Sequence, residues 1–109
     1  MVDRISREEL KAKLDRGDDF VLVDASPETA YRKSHLPRAI SIPSDDIMQA
    51  ATEQLPDRKV DIVVYCVNGP CKRSRLATER LEALGYQKVR DYHQGKADWA
   101  DAGLPVERA

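Results

Sequence analysis

Apolar residues along this 109-residue chain come either in short solid runs or at every third or fourth position. The solid runs are Phe20 to Ala25, FVLVDA, and Val60 to Tyr65, where Val60, Ile62, Val63, Val64 and Tyr65 hardly alternate with polar neighbours. Runs of this kind predict parallel strands covered on both faces. Ala39 to Ile42 and Lys88 to Tyr92 predict two more strands, and Arg4 and Ile5 a brief edge strand.

The spaced positions predict helices. Ser6-Arg7-Glu8-Glu9 has the form of a capping box, Leu10 and Leu14 follow one turn apart, and Gly17 ends the segment. Ser26-Pro27-Glu28 opens a second, short helix with proline at its first position, and His35-Leu36-Pro37 stops it. Ser44-Asp45-Asp46 is read as the cap of a third, in which Ile47, Ala51 and Leu55 share a face. Leu76, Ala77, Leu81 and Leu84 mark the core side of a fourth, closed by Gly85 and Tyr86, and residues 95 to 102 form a last one carrying Trp99 as a core residue. Strands and helices alternate throughout, which predicts an α/β fold with a central parallel five-stranded sheet, right-handed crossovers and helices on both faces.

Length and charge narrow the picture further. The chain suits one core, so a single domain over residues 1–109 is expected. Eighteen basic against nineteen acidic side chains leave no global field to attract nucleic acid or an anionic membrane, and neither is expected as a partner. Two cysteines are too few for a disulfide scaffold, and MVDRISREEL lacks the apolar stretch of a secretory signal, so a cytoplasmic protein with reduced thiols is expected.

The chemistry concentrates where the strongest strand meets the fourth helix. Cys66 ends that strand, at the carboxyl edge where open α/β sheets carry their sites. Val67, Asn68, Gly69, Pro70, Cys71, Lys72 and Arg73 follow, and the N–H groups of all but Pro70, which has none, can with the helix start at Ser74 converge on one anion or thiolate. Lys72, Arg73 and Arg75 add positive charge that favours a Cys66 thiolate over an inert thiol, and Arg73 has the planar fork that suits an anionic substrate. Cys71 is either a small residue lining the site or a second thiol able to attack an intermediate on Cys66. The five-residue separation demands a tight loop for a disulfide. Pro70 fixes one backbone angle beside Cys71 and can hold the two sulfurs apart as easily as guide them, and because a rigid cradle is what stabilises the thiolate, no internal disulfide is expected. Cys66, Cys71, His35 and His93 are metal-ligand types, but Cys-x4-Cys is not a structural zinc spacing and the histidines lie far off, so neither metal nor organic cofactor is expected. Asp24 and His35, at element ends, are read as mainly structural.

With these residues in view, the chain resembles a single-domain rhodanese along nearly its whole length. FVLVDAS resembles the strand ending Asp-Val-Arg, SHLPRAISIP the Gly-His-Ile-Pro-Gly-Ala segment, VVYC the catalytic-cysteine strand, and YHQGKADWADAGLPVE the closing Gly-Gly-x-x-x-Trp and Gly-x-Pro-Val motifs. The resemblance implies the rhodanese fold and a sulfurtransferase. It further implies that Cys66 takes a sulfane sulfur from a small donor such as thiosulfate and passes it, as a persulfide, to cyanide, a thiol or a sulfur-accepting protein. Counted back from Gly85, Arg73 and Ser74 match the family's closing Arg-Ser, which makes this loop two residues longer than usual. Ser26 replaces the arginine that follows the strand aspartate in many members, and Ser34 and Arg38 replace family glycines. Related phosphatases and arsenate reductases use Cys-x5-Arg; here Lys72 holds that arginine's place. Those activities, a dithiol redox protein using Cys66 and Cys71, and a non-catalytic docking module are the alternatives.

Overall fold

The computed structural model describes residues 3 to 108. Five strands, β1 (Asp3–Arg4), β2 (Val21–Asp24), β3 (Ala39–Ser41), β4 (Asp61–Tyr65) and β5 (Lys88–Tyr92), form one sheet in the order β1-β5-β4-β2-β3. Every pairing is parallel. The helices are α1 (Arg7–Arg16), α2 (Glu28–Lys33), α3 (Ile47–Gln54), α4 (Arg73–Ala83) and α5 (Gly95–Asp101).

Strand alternation divides the core in two, because neighbouring side chains on a strand point to opposite faces. Val23, Ile62, Val64 and Val89 pack with Ile47, Ala51, Leu55, Ala77 and Leu81 of the α3–α4 layer. On the other face Leu22, Val63, Tyr65 and Tyr92 pack with Leu10 of α1 and Trp99 of α5. Both central strands are therefore apolar at successive positions, as their solid runs predicted. Trp99 is fully buried, with its indole N–H donating to the Pro105 carbonyl at 2.8 Å.

Local signals explain most helix ends. Ser6 Oγ accepts the Glu9 N–H at 3.1 Å, and Gly17, at φ 68°, ends α1. At the end of α4 the Tyr86 N–H returns to the Leu81 carbonyl and the Gly85 N–H to that of Glu82, so the last carbonyls are satisfied.

Three local expectations differ from the structure. Ser44–Asp46 forms its own 3-10 turn ahead of α3 and makes no side-chain cap to it. The edge strand is Asp3–Arg4, and Ile5 beyond it drops into the core at 3% exposure. Leu76 does not join the core side of α4: it is 43% exposed, while Thr78 is buried with its hydroxyl donating to the Ser74 carbonyl at 2.8 Å. A helical stripe defined by leucines alone is therefore rotated from the buried one, because a hydroxyl that bonds back to its own helix is cheap to bury.

Candidate active site

β4 lies between β2 and β5, and the chain leaves the carboxyl end of β2 towards β3 but that of β4 towards β5. The two connections diverge, opening a crevice where Asp24 and Tyr65 lie in register. Cys66 is the next residue after Tyr65 and is 1% exposed. Ala25 stays close, its N–H bonded to the Tyr65 carbonyl at 2.9 Å.

The floor of the crevice is rigid and polar. Asp24 is fully buried; its Oδ1 accepts the Ser26 N–H at 2.9 Å and the Ser26 hydroxyl. Ser26 thus holds the strand carboxylate. The Tyr65 hydroxyl accepts the Leu36 N–H at 3.0 Å, tying β4 to the segment before β3. Burial, with the Asp24 charge nearby, pushes the Tyr65 phenol well above its ordinary range, so it stays neutral.

The start of the loop is anchored from α5, a contact absent from the sequence reading. The Lys96 N–H donates to the Cys66 carbonyl at 2.9 Å and the Ala97 N–H to that of Val67 at 2.8 Å. These donors are available because the first amides of a helix lack partners within it. Gly95, at φ +74°, permits the approach: a Cβ there would lie 2.6 Å from the Cys66 carbonyl oxygen and 2.9 Å from the Asn68 nitrogen. Its signal in the sequence is the glycine four residues before Trp99. The Lys96 ammonium then donates to the carbonyls of Ala30 and Ser34, fastening α5 to the end of α2.

The far side of the loop departs from expectation. Cys66 and Cys71 are joined as a disulfide, with Cα atoms 6.4 Å apart, inside the range such bonds need. Pro70 does not hold the sulfurs apart. The turn is drawn in by Asn68, whose backbone carbonyl and Oδ1 both accept the Cys71 N–H at 3.1 Å. That N–H is therefore spent within the loop, so the ring of amides from Val67 to Arg73 is incomplete at Cys71 as well as at Pro70, where the sequence already shows the gap.

Among the cations, Arg73 Nη1 lies 3.9 Å from the Cys71 sulfur. Arg75 instead reaches along α4 to Glu79, at 3.7 Å, and Lys72 is exposed at the helix start. Arg73 also borders a cleft of about 320 Å³ with Ala25, Pro27, Glu28, Asp45 and Asp46. One guanidinium thus shares that cleft with three carboxylates. Ser74 is buried at the first turn of α4, near Asp91 of β5. Burial holds the Asp91 carboxyl above its usual range, against the opposing pull of Ser74, His93, Arg4 and Arg75.

The two histidines do not meet. His35 stacks on Tyr31 and shares Nδ1 with its carbonyl at 2.9 Å, whereas His93 follows β5 beside Gly69. Among the described residues no group of three or more His, Cys, Asp and Glu side chains converges as a metal site.

Residues 6–102 match the Rhodanese-like domain family. The chain belongs to that family. Among relatives of the domain, HTH-type transcriptional regulator Rv0324 of Mycobacterium tuberculosis is 34% identical over 96% of this chain and 45% of its own length. Adenylyltransferase and sulfurtransferase UBA4 of Meyerozyma guilliermondii is 34% identical over 83% of this chain and 23% of its own. The chain thus spans less than half the length of either. The Rhodanese-like domain of the Anabaena protein Alr3790 superposes with a TM-score of 0.88 at 25% identity, covering 100% of this chain and 81% of that one. The rhodanese-like fold expected from the sequence, with its parallel five-stranded sheet, is the fold observed.

Proposed function

We propose that this rhodanese-like domain is a sulfurtransferase whose nucleophile is Cys66. The observation that carries the reading is the position of that sulfur: buried, one residue beyond the central strand, in the crevice between diverging connections and bonded to Cys71 two residues before α4. With the Cys66–Cys71 bond reduced, the Cys66 thiolate attacks the sulfane sulfur of thiosulfate and expels sulfite. The persulfide then gives its outer sulfur to cyanide or to a thiol, including one on an acceptor protein, and Cys66 returns as thiolate. The N–H groups of Val67, Asn68, Gly69, Lys72, Arg73 and Ser74 are the proposed cradle for the donor's charge, and the Arg73 side chain orients it. Cys71 drops out as a donor of this cradle because its N–H belongs to Asn68. The oxidised form has no free thiolate, so the enzyme works in a reducing compartment such as the cytoplasm.

The test is sulfur transfer from thiosulfate to cyanide by pre-reduced protein, together with intact mass after thiosulfate treatment. In protein quenched directly after loading, one added sulfur on Cys66, removed by cyanide and lost in Cys66→Ser, is expected. A reduced wild type that takes up no sulfur and forms no thiocyanate overturns the reading.

A further inference from the structure

We propose that Cys71 is a resolving thiol that discharges a Cys66 persulfide as hydrosulfide, giving the domain a second, dithiol-dependent activity. This rests on the sulfurtransferase reading above and extends it to the fate of the sulfur.

The first support is the loop itself. Asn68 turns the chain so that Cys71 bonds to Cys66, and the anchors from Lys96 and Ala97 fix the backbone at Cys66. Of the two cysteines, Cys66 is almost wholly enclosed at 1% exposure, while Cys71 is half-buried in a loop whose residues 68 to 70 are exposed. An outside thiol has little access to the inner sulfur of a Cys66 persulfide. Cys71 is already within bonding reach, and an attack inside one loop has the large advantage of proximity. The Arg73 guanidinium beside the Cys71 sulfur favours its thiolate, the form that attacks.

The step balances without an outside oxidant. The Cys71 thiolate attacks the Cys66 sulfur, the bond between that sulfur and the outer sulfane sulfur breaks, and its electron pair leaves on hydrosulfide. The two cysteine sulfurs end as the disulfide, oxidised together by two electrons, and the sulfane sulfur is reduced by the same two. A dithiol reductant then attacks the more accessible Cys71 sulfur through a mixed disulfide, leaves as its own cyclic disulfide and restores both thiols. Over the cycle, sulfane sulfur and a dithiol become hydrosulfide and a disulfide.

A single-turnover experiment decides the matter. Reduced wild type, Cys71→Ser and Cys71→Ala are loaded with thiosulfate, freed of small molecules and held without added thiol, while hydrosulfide is followed with a fluorescent probe and the protein by mass. The wild type should release its sulfur as hydrosulfide as the Cys66–Cys71 peptide disulfide appears, and both variants should lose that release and hold the persulfide. Release at equal rates from all three proteins overturns the proposal, as does a wild type that keeps its persulfide with no disulfide. In either case sulfur recovered by adding cyanide leaves the sulfurtransferase reading standing. Failure of all three to load overturns both.

Discussion

The carbonyl oxygen of Cys66 sits where a side chain on Gly95 would have to go. The separation of 2.6 Å from an ideal Cβ involves backbone on both sides, so neither partner can swing away. Gly95→Ala also forces a residue with a Cβ to a φ of +74°. We expect this variant to lose about 2 kcal/mol or more of stability, from left-handed strain and overpacking together. Sulfur transfer should fall with it, because the anchors on Cys66 and Val67 move. Urea unfolding checks the first effect; a midpoint equal to wild type would mean that the loop is not held by this contact.

Arg73 has two roles open to measurement. In the reduced protein, Arg73→Ala should slow alkylation of Cys71 at neutral pH, since the guanidinium beside that sulfur is gone. The variant should also lose about tenfold or more in kcat/KM for thiosulfate, the scale of a lost charge-assisted contact. Peptide-resolved alkylation rates and steady-state kinetics read the two separately. Unchanged Cys71 reactivity would remove Arg73 from the resolving step.

Phosphoryl transfer should be negligible. A phosphoryl transition state needs donors on all its equatorial oxygens, and this loop lacks an N–H at Pro70 and spends that of Cys71 on Asn68. Hydrolysis of an aryl phosphate by the reduced protein is the measurement. Turnover exceeding sulfur transfer, and lost in Cys66→Ser, would reverse the assignment.

Asp91 makes stability fall as pH rises through the acid range. Burial holds its native carboxyl above the ordinary value, so between about pH 4 and that raised value the native state binds more protons than the unfolded chain. Stability is then greatest below this window and is lost as Asp91 ionises through it. Its Oδ1 has no hydrogen-bond partner among the described residues, in keeping with a costly charge. Asp91→Asn should flatten this part of the profile. Chemical denaturation of both proteins across the window tests it, and parallel slopes would assign the dependence to another group.

The strands, the order of elements and the place of Cys66 at the sheet edge were legible in the sequence. Solid β-branched runs have few alternatives to a buried parallel strand, and a cysteine at the end of such a run must lie at the sheet edge. Gly17, Gly85 and the Ser6 box were legible for the same reason: each acts on neighbours within a turn of chain, so local order suffices to read it. Contacts between distant segments were not legible there, because they depend on how the elements pack. The grip of Lys96 and Ala97 on the loop spans some thirty residues and depends on where α5 lands beside β4. The burial of Thr78 in place of Leu76 depends on which side of α4 meets the sheet. The meeting of Cys66 and Cys71 turned on Asn68, whose side chain and carbonyl both take the Cys71 N–H and draw in a loop expected to carry no internal disulfide. A proline limits one backbone angle, whereas the path of a seven-residue loop is the sum of many, and those are set by what the folded protein packs around its two ends.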